Sequence, residues 1–90
     1  MRNLKIDKET LPVVKAGLTM KRNALKFNLK RYQERLSAFE KKYNMDSQTF
    51  LKKFNQGELG DDADWFEWQY LLEAYQETIA QMGKLAKVRL

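Results

Sequence analysis

The chain has no cysteine and no histidine, and only one proline and four glycines in its 90 residues. Without cysteine there is no disulfide framework, no thiol nucleophile and no thiolate to hold a metal. That usage suits a reducing compartment, and the cytoplasm is the expected address. Without histidine the commonest general base and the commonest metal ligand are missing. There is no G-x-S-x-G elbow, and Gly57 and Gly60 bracket a turn without the strand–loop–helix context of a phosphate-binding loop. These absences point away from an enzyme and lead us to expect neither cofactor nor metal. No apolar run approaches the roughly 20 residues of a membrane span. The opening residues, MRNLKIDKET, carry no hydrophobic region of a secretory signal.

What the chain does have is segregated charge. Residues 1–56 hold fourteen Lys/Arg against five Asp/Glu, residues 57–82 hold seven Asp/Glu and no Lys or Arg, and residues 83–90 add three cations. The net charge of +5 and the pI near 9.5 would by themselves raise nucleic acid as a partner. That mean conceals a basic segment and an acidic one. Opposed segments are expected to fold onto each other or onto another chain.

Hydrophobic spacing assigns the fold class. Leu18, Leu25, Leu29, Tyr32, Leu36, Phe39 and Tyr43 follow alternating steps of three and four once Arg22 is counted as a seam position. Thr10 is the expected N-cap, and Pro12 lies in the first turn, where its missing N–H does no harm. Gly17 is the weak point of this helix, at roughly 1 kcal/mol relative to Ala. Asn44 breaks the pattern and Asp46 caps a second helix, with Met45 placed to staple onto Phe50. Phe50, Leu51 and Phe54 form its apolar side, and Gly57 sits where a left-handed C-cap belongs. Asp61 or Asp62 caps a third helix. Its seam reads Trp65, Trp68, Leu72, Tyr75, Ile79, Met82 and Ala86, widened by Phe66, Leu71 and Tyr70.

The expectation is a single all-α domain of long, short and long helices over 10–44, 46–56 and 61–86, after an arm over 1–9. A helix of about 33 residues is about 50 Å long, whereas a compact domain of this size is about 30 Å across. The first helix must therefore form a long antiparallel hairpin or coiled coil with the third, or join a second chain. A homodimer is expected.

Three groups of residues are candidates for function. Asp61, Asp62 and Asp64 supply oxygens for a hard cation, but lack EF-hand spacing and point in different directions from a helix start; capping and the helix dipole explain them better. Arg22, Lys26 and Lys30 share a helical ridge that offers cations to phosphates, against the plainer reading of a solvated face. Trp65, Phe66 and Trp68 cover about half the circumference of a helix, more than one neighbouring helix hides. Trp65 and Trp68 share the seam and suit the core, while Phe66 lies off it and suits a contact with another chain.

The order Tyr43, Met45, Phe50, Phe54, then Gly57-Glu58-Leu59-Gly60-Asp61, then Glu67-Trp68 resembles a group of small bacterial and archaeal antitoxins and antitoxin-like proteins. These are encoded beside a toxin in type II toxin–antitoxin pairs. Many of them carry a helix reading F-E-x-K-Y-x-M, as Phe39 to Met45 does here. The match covers about a third of the chain. Residues 1–35 do not resemble a ribbon–helix–helix or swapped-hairpin DNA reader. The resemblance implies a non-catalytic module that neutralises a cognate toxin, commonly a ribonuclease. The residues expected to cover the toxin's basic surface are Glu58, Leu59, Asp61, Asp62, Asp64, Trp65, Phe66 and Trp68. The alternatives are a basic helical nucleic-acid-binding protein using Arg22, Lys26 and Lys30, and a structural homodimer with no toxin partner.

Overall fold

A computed structural model describes residues 10–88. It contains three helices, α1 (Thr10–Tyr43), α2 (Ser47–Asn55) and α3 (Ala63–Ala86), and α1 runs antiparallel to α3 in the same chain. The expected arm over 1–9 lies outside the described residues. At 34 residues α1 is continuous through Gly17. Its length of about 51 Å sets the shape of the molecule. The radius of gyration is 18.8 Å and the extents are 57 × 28 × 19 Å, against about 12 Å for a compact chain of this length.

The helix ends follow from local chemistry. Asn44 adopts φ 50°, and the Met45 N–H donates to the Glu40 carbonyl at 3.1 Å. This Schellman closure stops α1. The Asp46 carboxylate then accepts from the Thr49 N–H at 2.7 Å, and the Glu40 carboxylate accepts from the Ser47 N–H at 2.8 Å. Both satisfy donors that the first turn of α2 leaves unpaired. The same closure ends α2: Gly57 takes φ 70° and the Glu58 N–H donates to the Lys53 carbonyl at 3.0 Å. Asp62 caps α3, accepting from the Asp64 N–H at 2.8 Å. Gly60, by contrast, does not use the left-handed backbone.

The core lies at one end of the rod, where α2 folds against the α1–α3 hairpin. Phe50, Trp68, Leu71 and Leu36 are buried, and Met45 packs against this cluster as the staple predicts. The Phe50 and Trp68 rings stack with centroids 4.1 Å apart and planes 2° from parallel. Phe39 stacks on Trp68 at 5.5 Å, and Tyr43 meets Trp65 at 4.5 Å. The indole N–H of Trp68 donates to the Ser47 hydroxyl at 2.9 Å. Without that partner, the enclosed donor would cost about 1–3 kcal/mol.

The seam of α3 is phased differently from the expected one. Leu71 and Thr78 are buried, whereas Ile79 is 46% exposed and Tyr70 63% exposed, and Ala86 is exposed. The cause is that α3 serves two neighbours. Trp65 lies between the two, meeting Tyr43 of α1 at 4.5 Å and Phe50 of α2 at 5.8 Å, while Thr78 lines the groove against Leu25 and Tyr32 of α1. Leu72 and Tyr75 pack against the core as the seam predicts, and only from Ile79 onward does that side open to solvent. The Thr78 hydroxyl donates to the Ala74 carbonyl at 2.7 Å, so its burial leaves no polar group unpaired. On α1, Arg22 is exposed rather than part of the seam.

Candidate interaction site

The acidic segment begins in the 56–62 turn and continues along the outward side of α3. Asp62, Phe66, Tyr70, Glu73 and Glu77 follow steps of four, four, three and four, so they form one ridge. Its later part, Tyr70, Glu73 and Glu77, borders with Thr78 the groove lined by Lys21, Leu25 and Tyr32 of α1. Phe66 is 52% exposed and Tyr70 63% exposed, two large rings left open side by side. Phe54 of α2 meets Phe66 edge to face at 5.6 Å and fixes its inner edge.

The acids divide into two sets. Asp64 and Glu67 are committed within the chain. Asp64 accepts from the Lys42 ammonium at 2.8 Å and from the Tyr43 hydroxyl, and Glu67 pairs with Arg35. These contacts tie the start of α3 to the end of α1. The Lys42 hydrogen bond, followed by that of Tyr43, holds the Asp64 carboxyl below its ordinary range. In return, Asp64 raises the pKa of both Lys42 and Tyr43. Asp46 is also lowered, first by the Thr49 backbone N–H that it caps. All four shifts trace to helix caps and helix–helix bonds.

The second set makes no salt bridge among the described residues, although Lys21 of α1 lines the same groove as Glu73 and Glu77. Glu58, Asp61, Asp62, Glu73 and Glu77 are exposed. Asp62 is the cap, and Glu73 and Glu77 accept only from Gln69 and Gln81 of their own helix. No group of three or more carboxylates among the described residues could hold a metal ion, because Asp62 and Asp64 are turned into separate caps and bonds.

The expected site residues therefore have different fates. Glu58, Asp61, Asp62 and Phe66 present surface. Leu59 packs against the core, as does Trp65, and Trp68 is wholly enclosed. Asp64 is occupied by Lys42 and Tyr43. Tyr70 belongs to the open ridge, although spacing alone assigned it to the widened seam. Its signal was the four-residue step from Phe66, with acids before and after the pair.

Arg22, Lys26 and Lys30 are exposed on α1. Between Thr10 and Arg31 the sequence has six Lys/Arg and no Asp/Glu, and none of the six is in an ion pair among the described residues. The same stretch exposes Val13 at 71%, Met20 at 72% and Phe27 at 62%, spaced seven apart. Sequence reasoning missed this second stripe because the longer Leu18–Tyr43 heptad runs through the same residues.

No protein-family model matches this sequence, and no curated protein or solved structure matches it either.

Proposed function

We propose that the protein is a non-catalytic, antitoxin-like binding module that neutralises a partner by covering the partner's basic surface. The observation that carries this reading is the open ridge on α3. Phe66 and Tyr70 lie exposed between acids that make no salt bridge among the described residues, while Trp65 and Trp68 are used in the core. Exposed aromatic rings serve as interface anchors when a partner desolvates them. Unpaired carboxylates around such anchors speed and select association with a cationic surface. A nuclease cleft built to hold RNA presents such a surface, so a ribonuclease toxin suits this ridge. Glu58 and Asp61 extend the negative field onto the turn before α3.

Co-expression with the product of the neighbouring gene tests the proposal. The chain is expected to co-purify with that product and to relieve any growth arrest it causes. Phe66→Ala and Tyr70→Ala should each weaken the complex by roughly thirtyfold, about 2 kcal/mol, as for an interface hot spot. No complex and no relief of toxicity would overturn the reading.

A further inference from the structure

The first half of α1 carries a second apolar stripe that the hairpin does not cover. Val13, Ala16, Gly17, Met20, Ala24 and Phe27 recur at helical spacing and are all exposed. Val13 is 71%, Met20 72% and Phe27 62% exposed, so no neighbouring element walls them in. The buried Leu25 lines, with Lys21, the groove against Glu73, Glu77 and Thr78. Leu25 lies about 140° round the helix from Met20. The stripe therefore sits on the back of the hairpin, turned away from α3 and its acids, and runs about 21 Å from Val13 to Phe27.

The borders of the stripe are cationic. Between Thr10 and Arg31 there are six Lys/Arg, and the first acid after them is Glu34. Lys30 and Lys26 lie about 80° and 120° round from Met20, on the side opposite the Lys21 groove, and both are exposed. Arg31 closes the stripe, its guanidinium 5.8 Å from the Phe27 ring centroid. Lys26, Lys30 and Arg31 are in no ion pair among the described residues. Their long stems let the charged heads rise level with the apolar side chains.

Three occupants can be compared. A nucleic-acid duplex supplies phosphates for Lys26 and Lys30 but sets a charged backbone against Val13, Met20 and Phe27. Another protein, whether a second copy or a different chain, would find only one convex ridge. A strip about 21 Å long and about 10 Å wide falls well short of the roughly 1,200 Å² of a stable protein interface. A second copy would also crowd cation against cation. A bilayer surface needs no matching shape. It offers anionic headgroups to the cations and an acyl boundary to the side chains between them.

We infer that the back of α1 binds an anionic lipid membrane surface. The helix lies in the plane of the headgroups, and Val13, Met20 and Phe27 reach the acyl boundary. No helix among the described residues is long and apolar enough to cross a membrane, so the contact of this face is peripheral. The Phe66 and Tyr70 side of α3 stays open in this pose, and the inference does not rest on the antitoxin-like reading.

Co-sedimentation of the full chain with vesicles tests it and needs no toxin. Vesicles of equal phosphatidylglycerol and phosphatidylcholine should carry the protein down at low salt and release it as salt rises. Phosphatidylcholine alone should hold it more weakly by roughly tenfold or more. M20Q/F27Q, at two exposed positions, should lower the partition by roughly tenfold or more, with helix content unchanged by circular dichroism. K26A/K30A should lower it by roughly 25-fold, at about fivefold per cation. K52A/K53A removes the same charge from α2 and should change it by less than about twofold, which separates this face from net charge. No pelleting with the anionic vesicles overturns the inference. So does M20Q/F27Q that partitions like wild type, or K52A/K53A that falls as far as K26A/K30A. A dimer in sedimentation velocity that M20Q/F27Q dissolves also overturns it, because a second copy then covers the stripe. Binding of a DNA duplex through Lys26 and Lys30, with no retention by vesicles, does the same and assigns the cations to nucleic acid.

Discussion

Replacing Trp68 tests where this rod keeps its stability. Trp68 is 0% exposed and touches all three helices, through Phe39, Phe50 and the Ser47 hydroxyl. Truncating a buried Trp to Ala costs about 3–5 kcal/mol in transfer and cavity energy. A domain of this size has roughly 5–13 kcal/mol in total, at about 0.05–0.15 kcal/mol per residue. An elongated molecule with one small core belongs at the low end, so Trp68→Ala should be largely unfolded at 37 °C. Trp68→Phe keeps a ring on Phe50 and loses the Ser47 bond, costing about 1–2 kcal/mol. That corresponds to a fall of roughly 4–16 °C in Tm. Phe66→Ala removes a ring that is already 52% exposed and should cost under about 1 kcal/mol. Thermal melts followed by far-UV circular dichroism compare the three variants. A Trp68→Ala protein melting within about 5 °C of wild type would refute the reasoning, as would a Phe66→Ala protein that falls as far as Trp68→Ala.

Further outcomes follow from the same geometry. A Cβ added at Gly17 or Gly83 meets nothing within 4 Å, so Gly17→Ala and Gly83→Ala should each raise stability by up to about 1 kcal/mol in urea titrations. Gly57→Ala should do the reverse, because φ is 70° there. Asp46 and Asp64 are held below the ordinary Asp pKa. Their contribution is therefore present above that value and is lost as pH falls through the lowered ones. Tm should drop across this acid window, and Asp64→Asn should flatten part of the drop. Lys42 and Tyr43 are raised, so their contribution persists below their ordinary values and disappears as pH climbs through the raised ones. Melts on the alkaline side check this.

The helix order and boundaries were legible because the chain marks its ends with specific residues. Asn44, Asp46, Gly57 and Asp62 each perform the closing or capping act that their chemistry suggests, and the boundaries fall within a residue or two of the expected ones. The antiparallel hairpin was legible from length and seam. The phase of the α3 seam was not. Two neighbours cover α3, and sequence alone does not say that Trp65 is shared between Tyr43 of α1 and Phe50 of α2 while Thr78 closes against α1. Tyr70 and Ile79 were misplaced for that reason. The separation of Phe66 from its neighbouring tryptophans was legible, since only Phe66 lies off the stripe. The commitment of Asp64 and Glu67 to Lys42 and Arg35 was not, because it depends on the register between α1 and α3. Opposed charge joins the helices through two ion pairs and brings Lys21 into one groove with Glu73 and Glu77, while the other cations between Thr10 and Arg31 are in no ion pair among the described residues.

If the Phe66 and Tyr70 side of α3 is a binding surface rather than a solvated helix side, a basic partner must touch it. Backbone amide chemical shifts of the labelled chain, followed while the purified neighbouring gene product is added, test it most directly. Perturbations should centre on Asp61, Asp62, Phe66, Tyr70 and Glu73. Shifts confined to α2, or no change at any residue between 58 and 77, would contradict it.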